Sequence, residues 1–372
     1  MTPVSLNPLF QAFPTLEARL PHVTLGDFPT PVHRMKGLED RLGVRDLYIK
    51  REDKSSSLYG GNKIRKLEFL LGKAVQDRAT HTITFGYAGS NHTLATAVFA
   101  RKLGISPISI HLPQHNARYV RNNLLYQERL RTAMYQFNGM NTTRMGFMKI
   151  VFTRLLSTGR LPSIIPPGGS SVLGVVGVVG SIFELKRQIE GGELPEPDLI
   201  YLPVGSCGTA AGVLLGVKAA GLKSRVVGIA VAAAEFSNKE RIIQLFDDTA
   251  RLLKKLEPNF PEVSLSENDF DLSHDFIGDG YARFTESGMS SVQTFSEAED
   301  IRLEGTYTGK AGAGLIAHAE SGLLEDKTTL FWNTHNSVDF SERISDVDYR
   351  NLPSRYHRYF EKEYQPFERT DG

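Results

Sequence analysis

The residues with the clearest chemical potential surround a lysine at the start of a predicted helix. Residues 60–68 read GGNKIRKLE, and the apolar positions that follow share one helical face: Ile64, Leu67, Leu71 and Ala74. The Gly-Gly-Asn run predicts a turn with Asn62 as N-cap, which places Lys63 in the first helical turn. The helix dipole and the cations Arg65 and Lys66 disfavour an ammonium there, so we expect a lowered pKa for Lys63. Such an amine suits imine chemistry, although a solvated lysine at a helix start is the plainer alternative.

A glycine-rich loop lies between a predicted strand, Leu199–Val204, and a predicted apolar helix. Its members are Gly205, Ser206, Cys207, Gly208 and Thr209. Glycines let backbone N–H groups converge on an anion, and a helix N-terminus adds its dipole. The loop lacks the lysine of a Walker A sequence, and its glycines do not match the dinucleotide-binding pattern. A single phosphate monoester therefore fits it best, with an ordinary tight turn as the alternative.

A second strand-to-helix loop ends in Ser90, Asn91 and His92. Ser90 and Asn91 would present donors at a helix N-terminus, which suits a carboxylate, although plain helix capping explains the same residues. His92 has no partner at metal-ligand spacing, so no metal site is expected.

Two further loops, at residues 304–312 with Tyr307 and at residues 331–337, are uninformative alone. Taken together, the loops describe a reactive lysine, a phosphate cradle and a carboxylate cradle. Pyridoxal 5′-phosphate, a phosphorylated aldehyde that condenses with amino acids, satisfies all three.

The elements that must position these loops alternate between strands and helices. Strands are predicted at 46–50, 82–85, 107–112, 199–204, 226–231 and 329–332. Helices predicted between them imply right-handed crossovers and parallel pairing, so the fold class is α/β. Residues 137–171 are poorly periodic and end in a strong loop, and the charged tail from Asp346 is predicted to pack peripherally.

Bulk properties narrow the class of protein. A length of 372 residues predicts two domains, and a net charge of +1 provides no basic field for nucleic acid or an anionic membrane. The single cysteine, Cys207, excludes a disulfide framework within the chain. No secretory signal or membrane-spanning run is visible, so a cytoplasmic protein is expected.

Five motifs occur in the order typical of one enzyme family: GGNKIRKLEFLLGKA, GSNH, IPPGGSSVLGVVG, GSCGT and TYTGKAGAGLI. From about residue 24 to 335 the chain resembles the fold-type-II pyridoxal-phosphate enzymes of the D-cysteine desulfhydrase and 1-aminocyclopropane-1-carboxylate deaminase group. The resemblance implies two open, twisted, mostly parallel sheets with helices on both faces, as in tryptophan synthase β. It also implies a homodimer, a large cofactor-binding domain (1–64 and 172–372), a small domain (65–171), and the cofactor in the cleft between them.

The resemblance further implies roles for individual residues. Lys63 would hold the cofactor as a Schiff base and act as base at the substrate α-carbon. The other implied cofactor ligands are Asn91 at the pyridine 3′-oxygen, Thr334 near the pyridine nitrogen, and Gly205, Ser206, Cys207, Gly208 and Thr209 at the phosphate. Ser90, with the backbone of Asn91 and His92, would bind the substrate carboxylate. Tyr281 and Tyr307 would flank the substrate and assist as acid or base.

One position discriminates within the family. Deaminases carry a glutamate directly after the tyrosine that corresponds to Tyr307, whereas this chain has Thr308, as in the desulfhydrases. Thr308, which would also lie beside the substrate, favours α,β-elimination of a small amino acid, giving pyruvate, ammonia and sulfide from D-cysteine. Cyclopropane deamination is the alternative, and a catalytically silent cofactor-binding protein is the alternative of another class.

Two departures from the family pattern bear on the pocket. Family members commonly have His-Thr-Gly-Gly after the last core strand, whereas this chain has Asn333-Thr334-His335-Asn336. Cys207 replaces a loop glycine, and we expect this replacement to be tolerated if the φ of Cys207 is negative.

Overall fold

Strands and helices alternate along most of the chain in the computed structural model, which describes residues 7–368. The strands are β1 (Val32–Arg34), β2 (Leu47–Lys50), β3 (His81–Tyr87), β4 (Ser106–Leu112), β5 (Ala133–Gln136), β6 (Ser163–Ile165), β7 (Leu199–Val204), β8 (Arg225–Ala230), β9 (Phe270–Ser273) and β10 (Thr329–Trp332). The helices are α1 (Pro8–Ala12), α2 (Thr15–Arg19), α3 (Lys36–Leu42), α4 (Lys63–Gln76), α5 (Asn91–Lys102), α6 (Arg118–Arg129), α7 (Met140–Thr158), α8 (Val172–Glu190), α9 (Gly208–Ala220), α10 (Lys239–Leu256), α11 (Glu286–Glu299), α12 (Thr308–Glu320), α13 (Ser341–Ile344) and α14 (Arg358–Glu361).

The described chain divides into two compact units. The first comprises the residues up to Phe69 together with Ser170–Ser337, and the second comprises Leu70–Gly169 and the residues from Val338 onward. Each unit is built on one sheet, so the α/β class with two mostly parallel sheets is confirmed.

The first unit is built on a six-stranded sheet in the order β1-β2-β10-β7-β8-β9. Only the β1–β2 pair is antiparallel. Strand residues alternate between two cores, because successive side chains point to opposite faces. Ile200 and Leu202 of β7 join the core under α8, α9 and α10, whereas Tyr201 joins the core under α3, α11 and α12. Helices therefore cover both faces, as the predicted fold class requires.

The second unit is built on a fully parallel sheet in the order β5-β4-β3-β6. Ile83, Ile108 and Ile110 form its buried core with Ile150 of α7. Helix α5 follows β3 directly, so its N-terminus lies beyond the carboxyl end of that strand.

The residues after Ser337 pack with the second unit, whereas the predicted boundaries assigned them to the large domain. Tyr356 Oη lies 2.8 Å from His111 Nδ1 on β4, and Gln136 Nε2 on β5 donates to Tyr359 Oη at 2.9 Å. Both tyrosines are buried, which anchors the tail on this sheet.

Among the described residues, no helix has the length and apolar character needed to cross a bilayer.

Candidate functional site

Lys63 begins α4, and its side chain is half-buried. Its Nζ donates to Asn62 Oδ1 at 2.7 Å. Burial lowers the pKa of Lys63 to about 8, and the Glu304 carboxylate acts in the opposite direction. The direction of this shift matches the prediction, but its main cause is desolvation rather than the neighbouring cations.

Arg65 points away from Lys63 into a buried ionic cluster. Its guanidinium donates to Glu52 at 2.7 Å on two oxygens and to Glu184 Oε1 at 2.8 Å. Lys50 Nζ completes the cluster by donating to Glu184 Oε1 at 2.6 Å. Two cations and two carboxylates thus lie together, so Arg65 is neutralised within the core and holds the first turn of α4 in place.

Lys66, one helical turn after Lys63, lies beside the glycine-rich loop. This buried lysine has Nζ 3.5 Å from Ser170 Oγ. Ser170 Oγ in turn lies 2.8 Å from Ser206 Oγ and accepts from Gly208 N–H at 3.2 Å. Burial, and secondarily Lys63, lower the pKa of Lys66 well below its usual range, so an anion here would favour its charged form. These groups form a donor-rich cradle at the N-terminus of α9.

The condition under which Cys207 was expected to be tolerated, a negative φ, is not met. Its φ is +67°, in the left-handed region that favours glycine. The thiol is buried and Sγ lies 3.3 Å from the carbonyl oxygen of Phe236. The side chain therefore points into the protein, and the backbone retains the turn that a glycine would make.

A direct hydrogen bond joins the lysine turn to the glycine-rich loop. Asn62 Nδ2 donates to Thr209 Oγ1 at 2.9 Å while its Oδ1 accepts from Lys63. Asn62 thus uses both ends of its amide to hold the reactive amine beside the loop.

One tyrosine of a hydrogen-bonded pair faces the same amine. Tyr307 lies with its ring centroid 5.7 Å from Lys63 Nζ, and its hydroxyl is 2.6 Å from that of Tyr281. A Cβ added at Gly205 would lie 3.2 Å from the Tyr307 ring, so this glycine lets the ring approach the loop. The structure therefore brings together Lys63, both tyrosines and residues 205–209.

Thr308 is fully buried, and its hydroxyl accepts from Glu304 N–H at 2.9 Å. The Glu304 carboxylate accepts from the backbone N–H groups of Thr306, Tyr307 and Thr308 at 2.7–3.0 Å. This acid caps α12 while its charge reaches Lys63. The carboxylate of Glu304 thus lies beside Thr308. The residue type at position 308 alone did not reveal this acid.

Lys310 holds the segment that carries Tyr281. Its buried Nζ donates to the carbonyl oxygens of Ile277 at 2.7 Å and Gly280 at 2.9 Å. Burial lowers the pKa of Lys310 to about 8 against the opposing effect of Glu304. Lys310 therefore helps to position Tyr281 by holding the backbone of the residues before it.

The Asn333–Asn336 turn packs against the segment before Lys63. Asn336 Oδ1 accepts from Gly60 N–H at 2.6 Å, and Thr334 O accepts from Asn62 N–H at 3.4 Å. Gly61 has φ +98°, and an added Cβ would approach the carbonyl oxygens of Thr334 and His335 at 3.1 Å. Among the described residues, buried His335 Nδ1 and Asn333 Nδ2 have no hydrogen-bond partner.

Ser90, Asn91 and His92 belong to the second unit. Ser90 caps α5 by accepting from Thr93 N–H, and Asn91 Oδ1 accepts from Asn123 Nδ2 at 2.8 Å. Both residues are half-buried. The ring of His92 is buried, and its Nε2 lies 3.0 Å from Thr84 Oγ1, which is a structural contact.

Sequence reasoning missed several residues of this site. They are Asn62, Lys66, Ser170, Glu304 and Lys310, and each has a signal that could have been used. Lys66 follows Lys63 at i+3 and so shares its helical face, and Ser170 lies in the PGGSS loop. Glu304 and Lys310 flank the Tyr307 motif on either side.

The residues present fit a phosphorylated aldehyde. A half-buried lysine with a lowered pKa lies beside a loop where helix N–H groups, serine hydroxyls and Lys66 converge. At Gly208 an added Cβ would come within 2.4 Å of Ser170 Oγ, so the cradle depends on glycine there. The donor set suits a phosphate, and the amine suits a carbonyl carbon.

Comparisons with known proteins agree with this chemistry. The family described as pyridoxal-phosphate dependent enzyme matches residues 23–335. A Pyrococcus abyssi protein provisionally named 1-aminocyclopropane-1-carboxylate deaminase is 34% identical, covering 86% of this chain and 92% of that protein. D-cysteine desulfhydrase of Klebsiella pneumoniae is 32% identical, covering 80% and 88%. A crystal structure of an ACC deaminase homologue superposes with a TM-score of 0.75 at 30% identity, covering 94% of this chain and 100% of that one.

Proposed function

This chain belongs to the pyridoxal-phosphate dependent enzymes, and on that premise we propose that it is a lyase that eliminates the β-substituent of a small amino acid, as D-cysteine desulfhydrase does. Its cofactor is pyridoxal 5′-phosphate. The reaction on D-cysteine consumes one water and yields pyruvate, ammonia and hydrogen sulfide. The observation that carries the proposal is Lys63, a half-buried amine with a pKa of about 8 that faces a hydrogen-bonded tyrosine pair.

In this proposal the loop Gly205, Ser206, Cys207, Gly208 and Thr209 holds the cofactor phosphate, together with Lys66 and Ser170. Support comes from the convergence of their donors at the start of α9. Lys63 would hold the aldehyde carbon and Asn91 the 3′-oxygen, and Thr334 would lie near the pyridine nitrogen. When bound, the cofactor supplies an electron sink for charge released at the substrate α-carbon.

The protein's own residues then bind substrate and move protons. Ser90 and the backbone of Asn91 and His92 would hold the carboxylate, because the N-terminus of α5 is the positive end of the helix dipole and attracts an anion. Lys63 Nζ removes the α-proton, which its lowered pKa permits near neutral pH. The Tyr281–Tyr307 pair protonates the departing sulfur, because a 2.6 Å contact between hydroxyls lets one phenol donate while the other replenishes it. Thr308 contributes a neutral group beside the substrate.

A second candidate is 1-aminocyclopropane-1-carboxylate deamination. It is favoured by Glu304, whose carboxylate lies within electrostatic reach of both Lys63 and His335. Deaminases carry a glutamate where this chain has Thr308. Glu304 would provide part of the negative charge of that glutamate.

The proposal extends to the domains of the protein, its oligomeric state and its cellular compartment. We propose a large cofactor-binding domain and a small domain, with the cofactor in the cleft between them. We also propose a homodimer in the reducing cytoplasm.

The deciding experiment combines spectroscopy with a substrate panel. The protein with cofactor should absorb as a lysine adduct, and borohydride should fix that label on Lys63. D-cysteine should then yield pyruvate faster than 1-aminocyclopropane-1-carboxylate yields 2-oxobutanoate, and the reverse order selects the deaminase.

Two variants complete the test. Lys63→Ala should abolish both the adduct and turnover. Tyr307→Phe should keep the adduct and lower kcat at least tenfold. A wild-type adduct without turnover of any D- or L-amino acid would instead identify a silent cofactor-binding protein, and a protein that never takes up the cofactor would refute the proposal.

A further inference from the structure

Helix α7 of the second unit presents an apolar stripe to solvent. Among the described residues, seven of the eleven exposed large hydrophobic side chains lie between positions 145 and 164. Five of them are on α7: Met145 (74% exposed), Met148 (60%), Phe152 (61%), Leu155 (36%) and Leu156 (70%). Their spacing of three, four, three and one residues places them along one face of a helix.

This stripe is distinct from the face by which α7 packs on its own sheet. Phe147, Ile150 and Val151 contact the core of the second unit, on a different side of the helix. A helix with two apolar faces is typical of an element that is covered on both. The stripe is therefore not required for folding of the unit and is available for association.

The size of the stripe is that of an interface core. If each of the five side chains exposes on the order of 100 Å² of apolar surface, the stripe amounts to roughly 500 Å². Monomers seldom expose a contiguous patch larger than a few hundred Å² without using it. A standard interface buries about 800 Å² on each partner, which rim residues around such a core would provide.

From these observations we infer that the α7 stripe is the contact between two copies of this chain, with the two helices antiparallel about a two-fold axis near residue 150. Under that symmetry residue i faces residue 300 − i of the partner. Met145 then faces the partner's Leu155, and Met148 faces the partner's Phe152. Under this axis these exposed apolar side chains meet other apolar side chains, as an isologous contact requires.

The same symmetry keeps the cations of α7 apart. Arg144 would face the partner's Leu156, where its aliphatic stem can cover the leucine while the guanidinium stays in water. Lys149 would lie opposite the partner's Val151 rather than opposite another cation. Arg154 lies away from the stripe, near His81 at the start of β3. A parallel pairing in register would instead oppose Arg144 to Arg144 and Lys149 to Lys149.

This inference rests on the proposed homodimer and names its surface. The test is the dimer dissociation constant from analytical ultracentrifugation of the cofactor-bound protein. Met148→Glu with Phe152→Glu should weaken the wild-type dimer at least a hundredfold. Met148→Glu with Phe152→Lys, which sets opposite charges across the same symmetry-related pair, should regain at least tenfold of that loss. Leu323→Glu, at an apolar residue of the first unit that is 59% exposed, should change the constant less than threefold.

The outcomes separate the surface from the oligomer. A wild-type monomer at every concentration refutes both the homodimer and its surface. A dimer that the double glutamate variant leaves intact places the interface elsewhere. Equal weakening by the Glu/Glu and Glu/Lys variants, both still binding cofactor, rules out the antiparallel register.

Discussion

Glu184 provides a stringent test of how the first turn of α4 is held. Its side chain is 2% exposed and accepts from both Lys50 and Arg65. Burial alone would raise the pKa of this carboxyl, but Arg65 and Lys50 lower it from 4.5 to about 2. This lowering corresponds to about 3 kcal/mol of folding stability at neutral pH. Glu184→Gln, which resembles the protonated acid, should therefore lower the free energy of unfolding by about 3 kcal/mol at pH 7.

The sign of the pH dependence follows from the lowered pKa. The stabilisation is complete above the unfolded-state pKa of 4.5 and is lost as the pH falls toward 2. At pH 3 the difference in stability between wild type and Glu184→Gln should shrink to about half its value at pH 7. The two proteins should therefore converge in stability as the solution becomes acidic.

Urea unfolding can be followed by the fluorescence of Trp332. This is the single tryptophan of the chain, and it is buried on β10 in the same unit. Glu190→Gln on the same helix is the matched control, because Glu190 is 62% exposed and 4.0 Å from Lys186. That control should change stability by less than about 0.5 kcal/mol. A Glu184→Gln effect below about 1 kcal/mol at pH 7, or one that does not shrink by pH 3, would refute the reasoning.

Three further predictions concern the site. Because the pKa of Lys63 is about 8, attachment of the cofactor to the cofactor-free protein should be half-maximal near pH 8. A midpoint above pH 10, measured from the absorbance of the attached cofactor, would contradict this. Because Cys207 has φ +67°, Cys207→Gly should be about 1 kcal/mol more stable than Cys207→Ala in urea, and equal stabilities would show that the backbone relaxes. Lys310→Met leaves two carbonyl oxygens without their donor, so it should lower the free energy of unfolding by about 2–4 kcal/mol. It should also lower kcat at least tenfold while the cofactor absorbance persists. An unchanged kcat would show that Lys310 does not position Tyr281.

The elements nearest the site were predictable because they follow simple periods. Ile64 and Leu67 of α4 are fully buried, as their spacing predicts, and β7 and β10 lie where continuous apolar runs place them. Helix α7 escaped prediction because it is apolar on more than one side, so its sequence has no clear helical period. The apolar residues on more than one side of α7, which obscure its helical period, also produce its exposed stripe.

Within the site, residue types were predictable but their tertiary partners were not. Arg65 looked like a cation repelling Lys63, because sequence distance does not reveal that Glu52 and Glu184 neutralise it. The positive φ of Cys207 was missed because a cysteine in a glycine-rich loop does not by itself specify a backbone region. Glu304 was overlooked because its charge reaches Lys63 through space, four residues before the position compared with the deaminases.

The order of strands in the first unit has a consequence for when the enzyme becomes reactive. β10, the last strand within residues 7–368, pairs with β2 on one side and β7 on the other, so without it the sheet separates into two parts. The residues directly after β10 also supply the acceptor for Gly60 N–H, three positions before Lys63. A ribosome-bound chain that has not yet reached residue 336 therefore lacks a completed lysine turn. Assembly of the amine with its tyrosines thus waits for the segment that follows β10, and a shorter nascent chain has no preformed site with which to capture passing aldehydes.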